Sequence, residues 1–181
     1  MGALPTTGLM TVADFEVLAE QSRSRLELID GVVREKPVPN ARHRQIQYNL
    51  YDILKSNLKP GYRAAMELEF RPTTDESSLP RVDVAAVSIT RFEEATVAGY
   101  LVGAPELVIE VVSRSNTATD LNGRRRLCLR GGCQEFWLVY PDDWSVQVWT
   151  PDAVGRDFNE ADQIRSSLFG TDKVPVSQIF A

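Results

Sequence analysis

The sequence predicts an α/β fold built on a mixed sheet. Two apolar segments, Arg81 to Ser88 (RVDVAAVS) and Leu107 to Ser113 (LVIEVVS), consist largely of β-branched or small residues and read as buried strands. Between Ala41 and Leu58, the residues Ile46, Leu50, Ile53, Leu54 and Leu58 recur at helical spacing and define one buried face. Some strands are joined by tight turns and others by helices, which gives antiparallel and parallel neighbours in one sheet.

Taken in order, Thr11 opens a first helix, with Asp14 three positions on in a pattern close to a capping box. Phe15, Leu18 and Ala19 form its apolar side. Arg25 to Ile29 and Val32 to Glu35 form a hairpin across the favoured Asp30-Gly31 turn. The long helix from Ala41 stops at Pro60-Gly61. Tyr62 to Phe70 is a strand of mixed polarity, and Thr73 to Pro80 a polar loop. The Asp83 strand is followed by an acidic excursion, Arg91 to Ala104, and then by the Glu110 strand. Asp120 can cap the next helix, which runs to Arg130 and stops at Gly131-Gly132. Glu135 to Val139 is a buried strand and Ser145 to Thr150 an edge strand. Beyond Asp152 the tail is polar, with Val174 to Phe180 packing back. The layout is a sheet-and-helix core with an N-terminal helix–hairpin addition and a C-terminal β addition.

The 181 residues fit a short disordered lead-in, residues 1–10, and one domain, residues 11–181. No stretch of about eighteen apolar residues is present, so a membrane span is not expected. The first residues lack the basic and apolar regions of a secretory signal. Cys128 and Cys133 are too few for a disulfide framework or a zinc cluster and read as reduced thiols of a cytoplasmic protein. A net charge of −5 argues against a general nucleic-acid sponge. The positive charge is uneven, however. Arg114, Arg124, Arg125, Arg126 and Arg130 cluster after the Glu110 strand. Such a patch can contact phosphates, although a solvated helix face reads the same way.

The chemistry rests on two acids. Asp83 and Glu110 each sit inside an apolar strand, where an ionised carboxylate is costly unless a metal or cation pairs with it. Alternation puts Glu110 on a face with Val108 and Val112, and Asp83 on a face with Ala85 and Val87. If the strands are neighbours, both carboxylates can point into one cleft and hold Mg²⁺ or Mn²⁺. Such an ion activates water and stabilises charge at phosphorus. The alternative is a pair of buried acids bonded to nearby arginines.

His43, the single histidine, falls on the apolar stripe of the long helix. It suits either a phosphate or water near the metal, or a core-edge histidine bonded to backbone. Glu27 alternates with Leu26 and Leu28; it either joins the carboxylates or is simply exposed. Trp137, Trp144 and Trp149 are not spaced as a base-stacking platform and read as packing.

Together these segments resemble the Uma-type family of putative restriction endonucleases, within the PD-(D/E)XK nuclease superfamily. The resemblance is carried by ELIDG at Glu27 to Gly31, His43 opening a helix, VDV around Asp83, PELVIEVVS at Pro105 to Ser113, GGCQEFWLV at Gly131 to Val139, and the ending with Val176 to Phe180. It implies a restriction-endonuclease-like core, a four-stranded mixed sheet flanked by helices. It implies Asp83 as the motif aspartate and Glu110 as the acid of the (D/E)XK element, both holding Mg²⁺ or Mn²⁺. It also implies DNA as the partner; on that reading the basic residues Arg125, Arg126 and Arg130 would contact its phosphates, and Glu27 and His43 would support the site.

The chain departs from that pattern in two places. Val112 stands two residues after Glu110, where the simple form of the element has a lysine. The family supplies its lysine instead from the next helix, and Arg124 occupies the matching position. Val82 replaces the proline before the aspartate. A lysine can lose its proton in a desolvated pocket, whereas arginine stays charged. Arg124 would therefore orient water or neutralise phosphate rather than act as a base. The sequence leaves open a Mg²⁺-dependent DNA endonuclease, a weakened or inactive nuclease-fold module that binds DNA or a partner protein, and a protein whose acids are structural. Cutting both strands would favour a homodimer.

Overall fold

The protein is described from a computed structural model covering residues 9–72, 77–170 and 173–181. Most of the expected lead-in and the start of the Thr73–Pro80 loop lie outside the described residues.

The chain opens with α1 (Val12–Gln21), whose N-cap Thr11 accepts a hydrogen bond from the Asp14 N–H while its hydroxyl donates to the Asp14 carboxylate. The hairpin follows as β1 (Leu26–Ile29) and β2 (Val32–Glu35). Asp30 and Gly31 both have positive φ, 50° and 75°, as the two-residue turn of a twisted hairpin requires. Its register sets Glu27 opposite Arg34. Val12, Phe15, Leu26, Leu28, Val33 and Leu79 form a small core under this addition. Leu28 and Leu79 exchange backbone hydrogen bonds and tie the hairpin to the segment that enters the next strands.

Next come α2 (Ala41–Asn57), β3 (Tyr62–Arg71), β4 (Arg81–Ser88), α3 (Ile89–Ala98), β5 (Leu101–Val102) and β6 (Leu107–Val111). They are followed by α4 (Ala118–Arg130), β7 (Glu135–Tyr140), β8 (Ser145–Trp149), β9 (Gly155–Phe158), β10 (Gln163–Ile164), β11 (Val174–Pro175) and α5 (Ser177–Phe180). The main sheet has seven strands in the order β5-β3-β4-β6-β7-β8-β9. β3, β4 and β6 are antiparallel neighbours, and β6 pairs parallel with β7 through the α4 crossover. These four strands are the expected mixed core, with β5 added at one side and β8 and β9 at the other.

One face of the sheet packs on α2 and the C-terminal segment around Ile46, Leu50, Leu54, Ile109 and Trp137. The other packs on α4 and α3 around Phe70, Ala85, Val108, Cys128 and Phe136. Both cysteines are free and buried. Burial pushes the Cys133 thiol up to about 12 and raises Cys128 as well, so neither behaves as a reactive thiolate. Among the described residues no helix is long and apolar enough to cross a membrane.

The structure corrects three local expectations. Residues 89–98 form a helix, α3, capped by Ser88 and closed by Gly99 at φ 86°. The Ser145 strand is not an edge, because β9 pairs outside it. The cap of α4 is Thr117, whose side chain accepts the Asp120 N–H; the Asp120 carboxylate instead accepts from Thr117 and from Arg34 on the hairpin.

Candidate active site

Because β4 runs antiparallel to β6, the start of β4 lies beside the end of β6. Asp83 is near the first end and Glu110 near the second. Main-chain pairing between the strands extends to Val84 opposite Ile109. Just beyond it, the Val111 N–H donates to Asp83 Oδ2 at 2.9 Å. A side chain takes over from the ladder there and fixes the Asp83 carboxylate between the strands. Asp83 and Glu110 are 4% and 6% exposed.

Three other elements close around this pair. From the end of the hairpin, Lys36 Nζ donates to Asp83 Oδ1 at 3.1 Å and to the Arg81 carbonyl at 2.7 Å. From the first turn of α2, His43 Nε2 lies 3.4 Å from Asp83 Oδ2, outside hydrogen-bond geometry. The N-cap Asn40 accepts the His43 N–H at 2.8 Å and sets that turn. From α4, Arg124 Nη2 donates to Glu27 Oε1 at 2.5 Å, and Nη1 lies 3.4 Å from both Glu110 Oε1 and the Arg81 carbonyl. Glu27 is 2% exposed, so the hairpin acid belongs to the carboxylate cluster.

The site thus holds three buried carboxylates against two fixed cations, and the charges divide unequally. Burial pushes the Asp83 carboxyl up, but Lys36, His43 and the Val111 N–H together hold it well below the usual range. Burial likewise opposes the charge on Glu27, and Arg124 outweighs it. Glu110 differs. Burial dominates, Arg124 compensates only partly, Asp83 adds repulsion, and the carboxyl is pushed up to about 8. Burial disfavours the charges on Lys36 and Arg124, yet the surrounding carboxylates raise both above their ordinary values.

Among the described residues, the buried side-chain atoms without a hydrogen-bond partner are His43 Nε2 and Glu110 Oε1. Both belong to this cluster. Buried polar atoms are normally satisfied, so two orphans in one site mark where a ligand fits. Asp83 and Glu110 are hard oxygen donors that suit Mg²⁺ or Mn²⁺, with His43 beside them. Among the described residues no group of three or more His, Cys, Asp or Glu side chains is spaced to hold a metal.

The cluster opens into a cleft of about 450 Å³. Arg34, Arg114, Arg126 and Arg130 line it together with Lys36 and Arg124. Arg125 does not. One residue along a helix turns a side chain by about 100°, and the Arg125 guanidinium stacks 3.7 Å from the centre of the Trp149 ring. Lys36 was not among the sequence candidates, yet it touches Asp83 directly. Its signal was faint: it follows β2 directly, two residues after Arg34, which stands opposite Glu27.

The Uma2 family model, described as "Putative restriction endonuclease", matches residues 12–175. The chain belongs to the Uma2 family. Among solved structures, a putative nuclease belonging to DUF820 from Anabaena variabilis ATCC 29413 is similar over 94% of this chain and 97% of that chain, with 25% identity and a TM-score of 0.82. No curated protein matches. The chain therefore has the family and the fold of restriction-endonuclease-like nucleases. In this Uma2 protein the α4 cation is Arg124, and it is bound to Glu27 on the hairpin.

Proposed function

We propose that this Uma2 protein hydrolyses DNA phosphodiester bonds with Mg²⁺ or Mn²⁺ held by Asp83 and Glu110. The observation that carries the reading is the meeting of these two carboxylates at the floor of an arginine-lined cleft, with Glu110 Oε1 lacking a hydrogen-bond partner. When bound, the ion supplies Lewis-acid activation of water and stabilises charge developing at phosphorus. The chain's own residues do the rest. Asp83 is held ionised by Lys36 and aimed by the Val111 N–H. Glu110 gives up its proton to serve as a ligand. Arg124 presents a permanent positive charge that neutralises phosphate. Arg126 and Arg130 hold the backbone on either side without reading sequence. His43 Nε2 stands beside Asp83 Oδ2 and lines the cleft, where it would meet a phosphate oxygen or a water. The reading places the protein in the cytoplasm, acting on DNA, with a homodimer as the natural assembly for cutting both strands.

One observation favours a second reading. Arg124 stays protonated and is committed to Glu27, so it cannot serve as a general base. A nuclease fold that binds DNA with little turnover would look the same at this position. Incubation of supercoiled plasmid with Mg²⁺ or Mn²⁺ separates the two. Cleavage by wild type and none by Asp83→Ala supports the nuclease, whereas equal nicking by both removes the assigned site.

A further inference from the structure

The cleft contains a cation that the family pattern did not lead us to expect. Lys36 comes from the hairpin and Arg124 from α4, yet both reach one acceptor, the carbonyl oxygen of Arg81, at 2.7 and 3.4 Å. A primary ammonium therefore stands beside the guanidinium at the position where α4 lacks a lysine. The two cations are held differently. Arg124 bridges Glu27 and Glu110 and ties α4 to the hairpin. Among the described residues Lys36 uses two of its three donors, on Arg81 and Asp83. It lines the cleft on a flexible stem, with its side chain 13% exposed and its ammonium drawn in to Asp83 and the Arg81 carbonyl.

Resting on the nuclease reading above, we propose that Lys36 is the catalytic lysine of this site. Its remaining N–H donates to a non-bridging oxygen of the scissile phosphate, and Arg124 is a positioning residue that fixes Glu27 and the hairpin bearing Lys36. The lysine has in effect moved from the helix to the hairpin. Lys36 acts as a charged donor throughout, so no proton is transferred to or from it.

The test compares wild type, Lys36→Ala, Lys36→Arg and the double variant Lys36→Ala/Arg124→Lys, each first checked by thermal melting. In plasmid cleavage with Mn²⁺, Lys36→Ala is expected to lose at least about 100-fold in kcat, the usual effect of removing a donor to a developing oxyanion. Lys36→Arg and the double variant should each recover about tenfold of that loss. Without metal, binding of a short duplex should weaken in Lys36→Ala, and its salt slope should fall by about one phosphate contact. A lysine that merely neutralises Asp83 would leave that slope unchanged. Lys36→Ala cleaving at the wild-type rate while Asp83→Ala is inactive overturns this proposal and leaves the nuclease reading standing. Wild type that neither cleaves nor binds Mn²⁺ overturns both.

Discussion

Glu27 and Arg124 form a buried ion pair between residues 97 apart in the chain. It locks the N-terminal hairpin against α4 and closes the floor of the cleft. The Arg34–Asp120 pair at 2.7 Å makes a second link between the same elements. The hairpin is therefore part of the site's wall, and Glu27, Arg34 and Lys36 enter the site with it.

That pairing predicts a large effect for Glu27→Ala. The change leaves the Arg124 guanidinium buried without its main partner, which should cost about 3 kcal/mol. Urea unfolding is the measurement. A loss well under about 1 kcal/mol would mean that Arg124 finds enough in its other acceptors, Glu110 and the Arg81 carbonyl.

Asp83→Asn tests the other ion pair. It keeps an acceptor for the Val111 N–H but removes the charge that Lys36 faces. The expected outcome is a folded protein, destabilised by roughly 2 kcal/mol, whose Mn²⁺ isotherm is lost in calorimetry. Unchanged Mn²⁺ binding would move the metal away from Asp83.

Glu110 predicts an unusual pH dependence. Its carboxyl has an ordinary pKa in the unfolded chain and about 8 in the folded one. Between those values the native state keeps a proton that the unfolded chain has released. The protein is therefore fully stable on this account below the ordinary carboxyl range and loses stability as pH rises through about 8. Glu110→Gln removes the dependence. The variant should gain on wild type progressively as pH rises from about 5 to about 9. A pH-independent difference in urea midpoints would show that Glu110 titrates normally.

The arginines of α4 should separate by face. Arg126→Ala and Arg130→Ala are each expected to weaken duplex binding and to lower its salt slope by about one. Arg125→Ala should leave the slope unchanged and cost about 1 kcal/mol through its lost stack on Trp149. If all three behave alike, the cleft is not the DNA-binding surface.

Much of this was legible in the sequence, and the legible part was local. Alternation in RVDVAAVS and LVIEVVS located two buried strands and the acid within each. Asp30-Gly31 set the hairpin and, through its turn length, the Glu27–Arg34 register. Ile46, Leu50 and Leu54 announced the buried face of α2. The order of the motifs was enough to indicate the family. Residues 89–98 were misread because their helix buries almost nothing (Ala95 alone) and so carries little apolar periodicity.

What the tertiary structure decided was the company each charged residue keeps. Nothing in the spacing says that Lys36 and Arg124, 88 positions apart by number, meet at the carbonyl of Arg81. Nor does spacing say that Arg125 turns to Trp149 while Arg126 faces the cleft. Local periodicity records which face of an element is buried, because burial repeats with the period of the element. Charge pairing depends on how separate elements dock, and that docking is set by the apolar faces of all of them at once. The sequence by itself determined the fold class and the two acids; packing of the hairpin and α4 against the β4–β6 end decided which cations surround them.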